Sequence, residues 1–288
     1  MGTVDLRVRC AEPGDQQALS NLMFFETHVH RHLDWWTPVE WLGNPLYWVM
    51  EADGRPVAAL ACPQDPPGIA WVRLFVHAGQ FSLEETWQAL WETAEAALQE
   101  SGGAQVALIC MNEWLMPSLK RTGFLHTQDI VMLEWHGSRV PETGRQPDVT
   151  IRPMEREQLP VVAGLDAACF EPLWQNSLPA IERAFGQAAI ATLAVDPQGR
   201  GVGYQISTRN PFGAHLARLG VSPEARCRGV GSGLIAELIR ELLRRGVDRL
   251  TVNTQGDNAS SLALYEKMGF VRTGEKYPVY TRVLSPKE

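Results

Sequence analysis

Residues 223–238, "PEARCRGVGSGLIAEL", set two arginines and three glycines directly ahead of an apolar helical pattern. The preceding "HLARLGVS" has strand character, and Pro223 ends it. Leu234, Ile235, Leu238, Ile239, Leu242 and Leu243 then recur at helical spacing, with Glu237, Arg240, Glu241, Arg244 and Arg245 on the other face. Gly246 is placed to close the helix. Glycines at 229, 231 and 233 cost about 1 kcal/mol each relative to alanine in a first helical turn, so something must favour them there. Without side chains they leave the first N–H groups open at the positive end of the helix dipole, a place for an anion. Arg226 and Arg228 would add charge. A flexible loop would use the same glycines for their backbone angles alone. A P-loop is excluded because no Lys-Ser/Thr follows, and a dinucleotide fingerprint because the spacing is GxGxG with no acidic residue about 20 positions on.

A second stretch, "GDNASSLALYEKMGF" at 256–270, follows downstream. Asn258 suits a helix N-cap, and Leu262, Tyr265 and Met268 then share a face. Tyr265 is either an ordinary buried aromatic or a proton donor. A phenol with a pKa near ~10 stays protonated at neutral pH and can supply a proton to a thiolate whose thiol has a pKa near ~8.5.

Arg226-x-x-Gly229-x-Gly231, after a strand ending "LGVSP" and before a long helix, resembles the acetyl-CoA signature of the GNAT superfamily of N-acetyltransferases. The second stretch resembles that family's following segment, in which an Asn opens a short helix ending in Tyr-x-Lys-x-Gly-Phe. The resemblance implies acetyl-CoA as co-substrate, contacted by Leu219, Gly220, Val221, Arg226, Cys227, Arg228, Gly229, Val230, Gly231, Ser232, Gly233, Asn253, Asn258, Ser261 and Tyr265. It also implies Tyr265 as general acid and an N–H of the 219–221 strand directed at the thioester oxygen. Where many relatives carry a carboxylate base, this chain has Asn253, which cannot act as a base at neutral pH. His215, five residues before Gly220, stands where some relatives have an acidic residue. It is either the base or an idle histidine at a strand start. Asp166 and Glu171 are weaker candidates for recognising an amine.

The polar, Gly- and Pro-containing segment 136–150 separates two runs of similar order, each a strand, a helix, a hairpin, a further strand, a long helix, another strand and a short helix before Gly-Phe. The expected organisation is two tandem α/β (α+β) GNAT-like domains, each a mixed, mostly antiparallel twisted sheet flanked by helices. The limits are 1–137, a linker at 138–148, and 149–288. The first half fails the acetyl-CoA test: "LFVHAGQFSLEETWQALW" lacks Arg-x-x-Gly-x-Gly, Ser82 and Glu85 form a capping box, and Leu119 matches Tyr265. It reads as a degenerate copy, and the second half as the catalytic one.

A composition of 45% hydrophobic and 20% charged residues fits a soluble globular protein, and no apolar run approaches a membrane span. The net charge of −7 gives no basic footprint for nucleic acid. The start "MGTVDLRVRC" lacks a secretory core, Gly2 lacks a myristoylation context, and five scattered cysteines show no CxxC pair, so a cytoplasmic protein with reduced thiols is expected. "HVHRH" at 28–32 suggests a solvated helix face rather than a metal site, and no metal is expected. Nine of ten tryptophans precede the linker, with Trp35, Trp36, Trp41 and Trp48 crowded together, as core packing or as an aromatic substrate wall. The expected activity is transfer of an acetyl group to a primary amine of a small molecule by direct attack, by a monomer or homodimer. The alternatives are acetylation of a protein N-terminus and non-catalytic acyl-CoA binding.

Overall fold

The structure, a computed structural model, describes residues 6–144 and 147–287; Gly2, and Arg145 and Gln146 of the expected linker, lie outside the described residues. The first half contains β1 (Leu6–Cys10), α1 (Gln16–Phe25), β2 (His28–Arg31), β3 (Tyr47–Ala52), β4 (Arg55–Ala61), β5 (Ile69–Trp71), β6 (Leu74–His77), α2 (Leu83–Glu100), β7 (Ala104–Ile109) and α3 (Met116–Arg121). There follow β8 (Leu125–His136), β9 (Thr150–Pro153), α4 (Leu159–Cys169), α5 (Leu178–Gln187), β10 (Ile190–Val195), β11 (Gly201–Asn210), β12 (Gly213–Val221), α6 (Val230–Arg244), β13 (Arg249–Gln255), α7 (Ala259–Lys267) and β14 (Val271–Leu284).

Two compact units form, but not at a cut through 138–148. Unit 1 comprises 1–127 together with 277–288, and unit 2 comprises 128–276. The reason is strand pairing. Residues 279–284 of β14 pair antiparallel with β7, and residues 130–136 of β8 pair antiparallel with β13. Each half therefore completes its sheet with the last strand of the other, which a linear boundary cannot express.

In unit 1 the strands run β1-β3-β4-β6-β2, with β5 parallel to β7 beside them. The β3–β4 hairpin turns at Asp53 and Gly54, both at positive φ (50° and 75°), as the tightest hairpin turns require. The further strand expected after the hairpin is split in two: β5 ends at Trp71 and β6 begins at Leu74. The "HVHRH" helix is also corrected. Residues 28–31 form β2, antiparallel to β6, and His30 is 1% exposed. A segment of four residues carries little periodicity of its own, and the open edge of β6 draws it into a strand. The tryptophans largely pack. Trp87 and Trp91 on α2 stack at 3° between planes against Phe75 and Phe124, and Trp48 lies in the same core.

In unit 2 the order is β8-β13-β12-β11-β10-β9, with only the β12–β13 pair parallel. The apolar stripe of α6 (Ile235, Leu238, Ile239, Leu242) is fully buried against Leu133, Trp135, Leu250 and Val252. Gly246, at φ 71°, closes α6 as expected. This packing fixes the N-terminus of α6 at the end of β12.

Candidate active site

β12 and β13 pair only at Ala214↔Leu250, His215↔Thr251 and Leu216↔Val252. Immediately beyond, β12 carries a bulge: Ser207 faces Leu216 and Ile206 faces Arg218, leaving Ala217 unmatched. From there to Val221, β12 pairs on one side only among the described residues, with β11, while β13, paired with β8 from Arg249 to Gln255, has no β12 partner beyond Val252. A notch opens between the two strands. Ser222 donates its N–H to Val202 O at 2.9 Å, on the β11 side. By the two-residue alternation of a strand, the N–H and C=O groups of Leu219 and Val221 face the notch.

The notch leads to α6. Pro223 opens a short 3-10 turn and the chain then passes through Cys227 at φ 59° and Gly229 at φ 84°, which caps α6 without a side-chain bond. The first main-chain bond of the helix runs from Gly233 N–H to Gly229 O, so the N–H groups of Val230, Gly231 and Ser232 precede the intrahelical ladder. A Cβ on Gly231 would lie 3.0 Å from Leu264 Cδ2, and one on Gly233 3.0 Å from Pro147 Cγ. Gly220 is tighter still, with a Cβ 2.7 Å from Tyr204 Cε1. The glycines therefore serve both close packing and an uncovered helix end. That end suits a pyrophosphate, and the free strand edge suits an amide-bearing arm, so these residues fit acetyl-CoA. Arg226 lies beside the notch, donating to Val221 O and Cys169 O, and Arg228 is exposed.

The other expected residues are only partly brought together. Asn258 caps α7, its Oδ1 accepting from Ser261 N–H at 3.1 Å, which commits the Ser261 amide to the cap. Tyr265 is 5% exposed, its ring against Phe270, and burial pushes its phenol pKa up while Arg218 opposes. It stays protonated throughout the neutral range. Asn253 lies on β13, opposite Met132 of β8. His215 lies two residues before the bulge, Nδ1 2.9 Å from Thr251 Oγ1, and burial lowers its pKa. When the Thr251 hydroxyl donates to Ala214 O (3.3 Å), Nδ1–H donates to Thr251 and Nε2 keeps its lone pair.

Asp166 is not a free amine ligand. It is fully buried, and its oxygens accept from Tyr204 Oη (2.5 Å), Arg218 Nε (2.7 Å) and the N–H of Asn176 (2.7 Å). Arg218 also donates to Trp174 O and stacks 3.5 Å over Phe170. This network joins α4, β11, β12 and the α4–α5 connection at the bulge. Sequence reasoning missed Arg218 and Tyr204, since neither stands in a motif. Glu171 is exposed at the same connection. Thr251, the hydrogen-bond partner of His215, lines a groove of about 590 Å³ together with Met132, Glu134, His136, Arg249 and Glu275, among others. Among the described residues no group of three His, Cys, Asp or Glu is placed to hold a metal, and no helix is long and apolar enough to cross a membrane.

The chain has a tandem GNAT fold. Solved structures agree. A tandem GNAT protein from the clavulanic acid biosynthesis pathway superposes with TM-score 0.66 at 17% identity, covering 99% of this chain and 100% of that one. A GCN5-related N-acetyltransferase from Sphaerobacter thermophilus gives 0.63 at 16%, covering 98% and 97%. The family model "Acetyltransferase (GNAT) family" matches residues 166–270, all within unit 2. Similar sequences include mycothiol acetyltransferases from Arthrobacter sp. strain FB24 (36% identical over 86 residues) and Clavibacter michiganensis subsp. michiganensis (37% over 82). Each alignment covers 28% of this chain and 27% of the relative, so the chain matches about a quarter of those proteins' length.

Proposed function

We propose that unit 2 transfers the acetyl group of acetyl-CoA to a primary amine of a small hydrophilic molecule by direct attack, and that unit 1 is a degenerate copy. The observation that carries this reading is the one-sided edge of β12 at 217–221 leading onto the glycine-lined end of α6. Acetyl-CoA supplies an activated acetyl thioester. The N–H groups at the start of α6, with Arg226 and Arg228 nearby, hold its pyrophosphate, and Leu219 and Val221 hold its arm through main-chain groups. His215, kept neutral by burial, takes the proton that the amine must lose, directly or through water. Tyr265, kept protonated by burial, gives a proton to the departing sulfur, so the proton lost at nitrogen as the N–C bond forms is matched by the one gained at sulfur as the C–S bond breaks.

The groove lined by Thr251 supports a small acceptor. Its lining mixes Glu134, held by Arg249 at 2.5 and 3.0 Å, with Thr251, His136 and Glu275, groups that favour a polar amine over an apolar one. All five cysteines are free, which accords with a cytoplasmic enzyme, and we place it there as a monomer or homodimer.

The test is thiol release from acetyl-CoA with a panel of amines that includes amino sugars, amino acids, mycothiol-type amines and an alanine-terminated peptide. Turnover of a small amine that falls at least about 100-fold in Tyr265→Phe, with acetyl-CoA affinity retained, is expected. Acetyl-CoA binding with no turnover of any amine, or turnover indifferent to Tyr265→Phe, would sink the catalytic assignment.

A further inference from the structure

We propose that β2 of unit 1 is a built-in replacement for the arm of an acyl-CoA: the notch left open in unit 2 is filled in unit 1 by the protein's own main chain, and the whole chain takes one acyl-CoA. The identity of the displaced ligand rests on the acyl-CoA reading of unit 2. The strand pairing itself does not.

The two notches can be matched bond by bond. Ala78 donates its N–H to Val57 O at 2.8 Å in unit 1, as Ser222 donates to Val202 O at 2.9 Å in unit 2. Val57 and Val202 hold the same place in "GRPVAAL" and "GRGVGYQ". Counting back, residues 73–78 correspond to 217–222, one residue out from the register that Leu74 and Leu219 suggest in the bare sequence. The irregularities coincide: Arg73 lies at the break between β5 and β6, and Ala217 is the bulged residue of β12. Leu119 and Tyr265 also correspond, since Phe124 N–H bonds Leu119 O and Phe270 N–H bonds Tyr265 O, both at 3.0 Å.

Phe75 and His77 therefore stand where Leu219 and Val221 do, with their main-chain groups directed at the notch. In unit 2 that edge has no strand beside it among the described residues. In unit 1 it pairs with β2, His30 opposite Phe75 and His28 opposite His77. An extended main chain offers the N–H and C=O groups that an amide-bearing arm would offer, as in strand addition to a sheet edge. It also covers an edge that would otherwise invite intermolecular pairing.

β2 is anchored rather than laid on the surface. The His30 ring is buried, Nε2 3.1 Å from Val72 O; His32 N–H bonds Arg73 O at 3.0 Å; the His28 ring packs edge-on to Trp114. The strand comes from the chain between α1 and β3. The corresponding chain of unit 2, between α4 and β10, forms α5 instead and leaves its notch clear. The pyrophosphate end is replaced as well. Ser82 Oγ accepts from Glu85 N–H at the start of α2, and the first turn carries the carboxylates of Glu84 and Glu85.

Hydrogen exchange on the full-length chain, followed by mass spectrometry with and without acetyl-CoA, tests this directly. In the free protein, a peptide over residues 74–78 should exchange at least tenfold more slowly than one over 218–222, half of whose strand amides face no partner. Saturating acetyl-CoA should slow only the second peptide, with one equivalent bound by titration and none in Gly231→Glu. Equal exchange of the two peptides in the free protein, or a second equivalent that slows 74–78, would overturn the proposal. If the first difference holds and acetyl-CoA protects neither peptide, the filled notch stands and the acyl-CoA reading of unit 2 falls.

Discussion

Gly220 shows how little freedom the site leaves at a single residue. A methyl group there would meet Tyr204 Cε1 at 2.7 Å and Cys169 Sγ at 3.3 Å, and Tyr204 cannot retreat because its hydroxyl is held by Asp166. Gly220→Ala should therefore destabilise unit 2 by about 1–3 kcal/mol, read as a lowered denaturation midpoint. His215 carries a prediction of opposite kind. A base acts only when neutral, and burial lowers its pKa, so the acid limb of turnover should lie below pH 6.5, with rate falling as pH drops through the depressed value. In His215→Ala that limb should vanish and the rate should fall. An unchanged limb would move the base elsewhere.

At the scale of elements, the bulge in β12 matters because it is where the strand stops pairing with β13 and where Arg218 turns to Asp166. Asp166 binds groups from β11, β12 and the α4–α5 connection at once. Its removal would strand a guanidinium that is largely out of water. Asp166→Ala should cost about 3–5 kcal/mol in urea unfolding of unit 2, because the uncompensated partner outweighs the lost bond. Sequence made α6 and its glycine turn legible, since apolar period, Pro223 and Gly246 all mark the same boundaries. It could not reveal the Asp166–Arg218–Tyr204 network, whose members lie 38 and 52 residues from Asp166 and meet only when sheet and helix pack. β2 was misread for a related reason: four residues carry too little periodicity to outweigh the edge that receives them.

For the whole molecule, the exchange of final strands ties each unit to a distant part of the chain. A chain ending at residue 276 would lose the β14 strand that pairs with β7, and unit 1 should then unfold at lower denaturant than unit 2. Unit 1 should also be the acid-sensitive one. Burial holds His30 near a pKa of about 4 and His32 well below its usual value, with Arg73 and His30 adding repulsion at His32. In the unfolded chain both titrate near ~6.5, so their contribution is complete above that pH and is lost as pH falls towards 4, about 3 kcal/mol for His30 alone. Eight of the ten tryptophans lie in unit 1, so tryptophan fluorescence during acid titration reports mainly on it.

The sequence by itself determined the duplicated layout, the strand-loop-helix with its run of glycines in the second half, the cap at Asn258 and the absence of that glycine run from the first. These are local properties, set by period, capping and backbone freedom within a few neighbouring residues. Tertiary structure decided which strand completes which sheet, why Asp166 is unavailable to a substrate, and that one notch is open while the other holds β2. Those depend on main-chain edges and buried charges finding partners far along the chain, and a strand's hydrogen bonds carry no mark in its own sequence of where they will be satisfied.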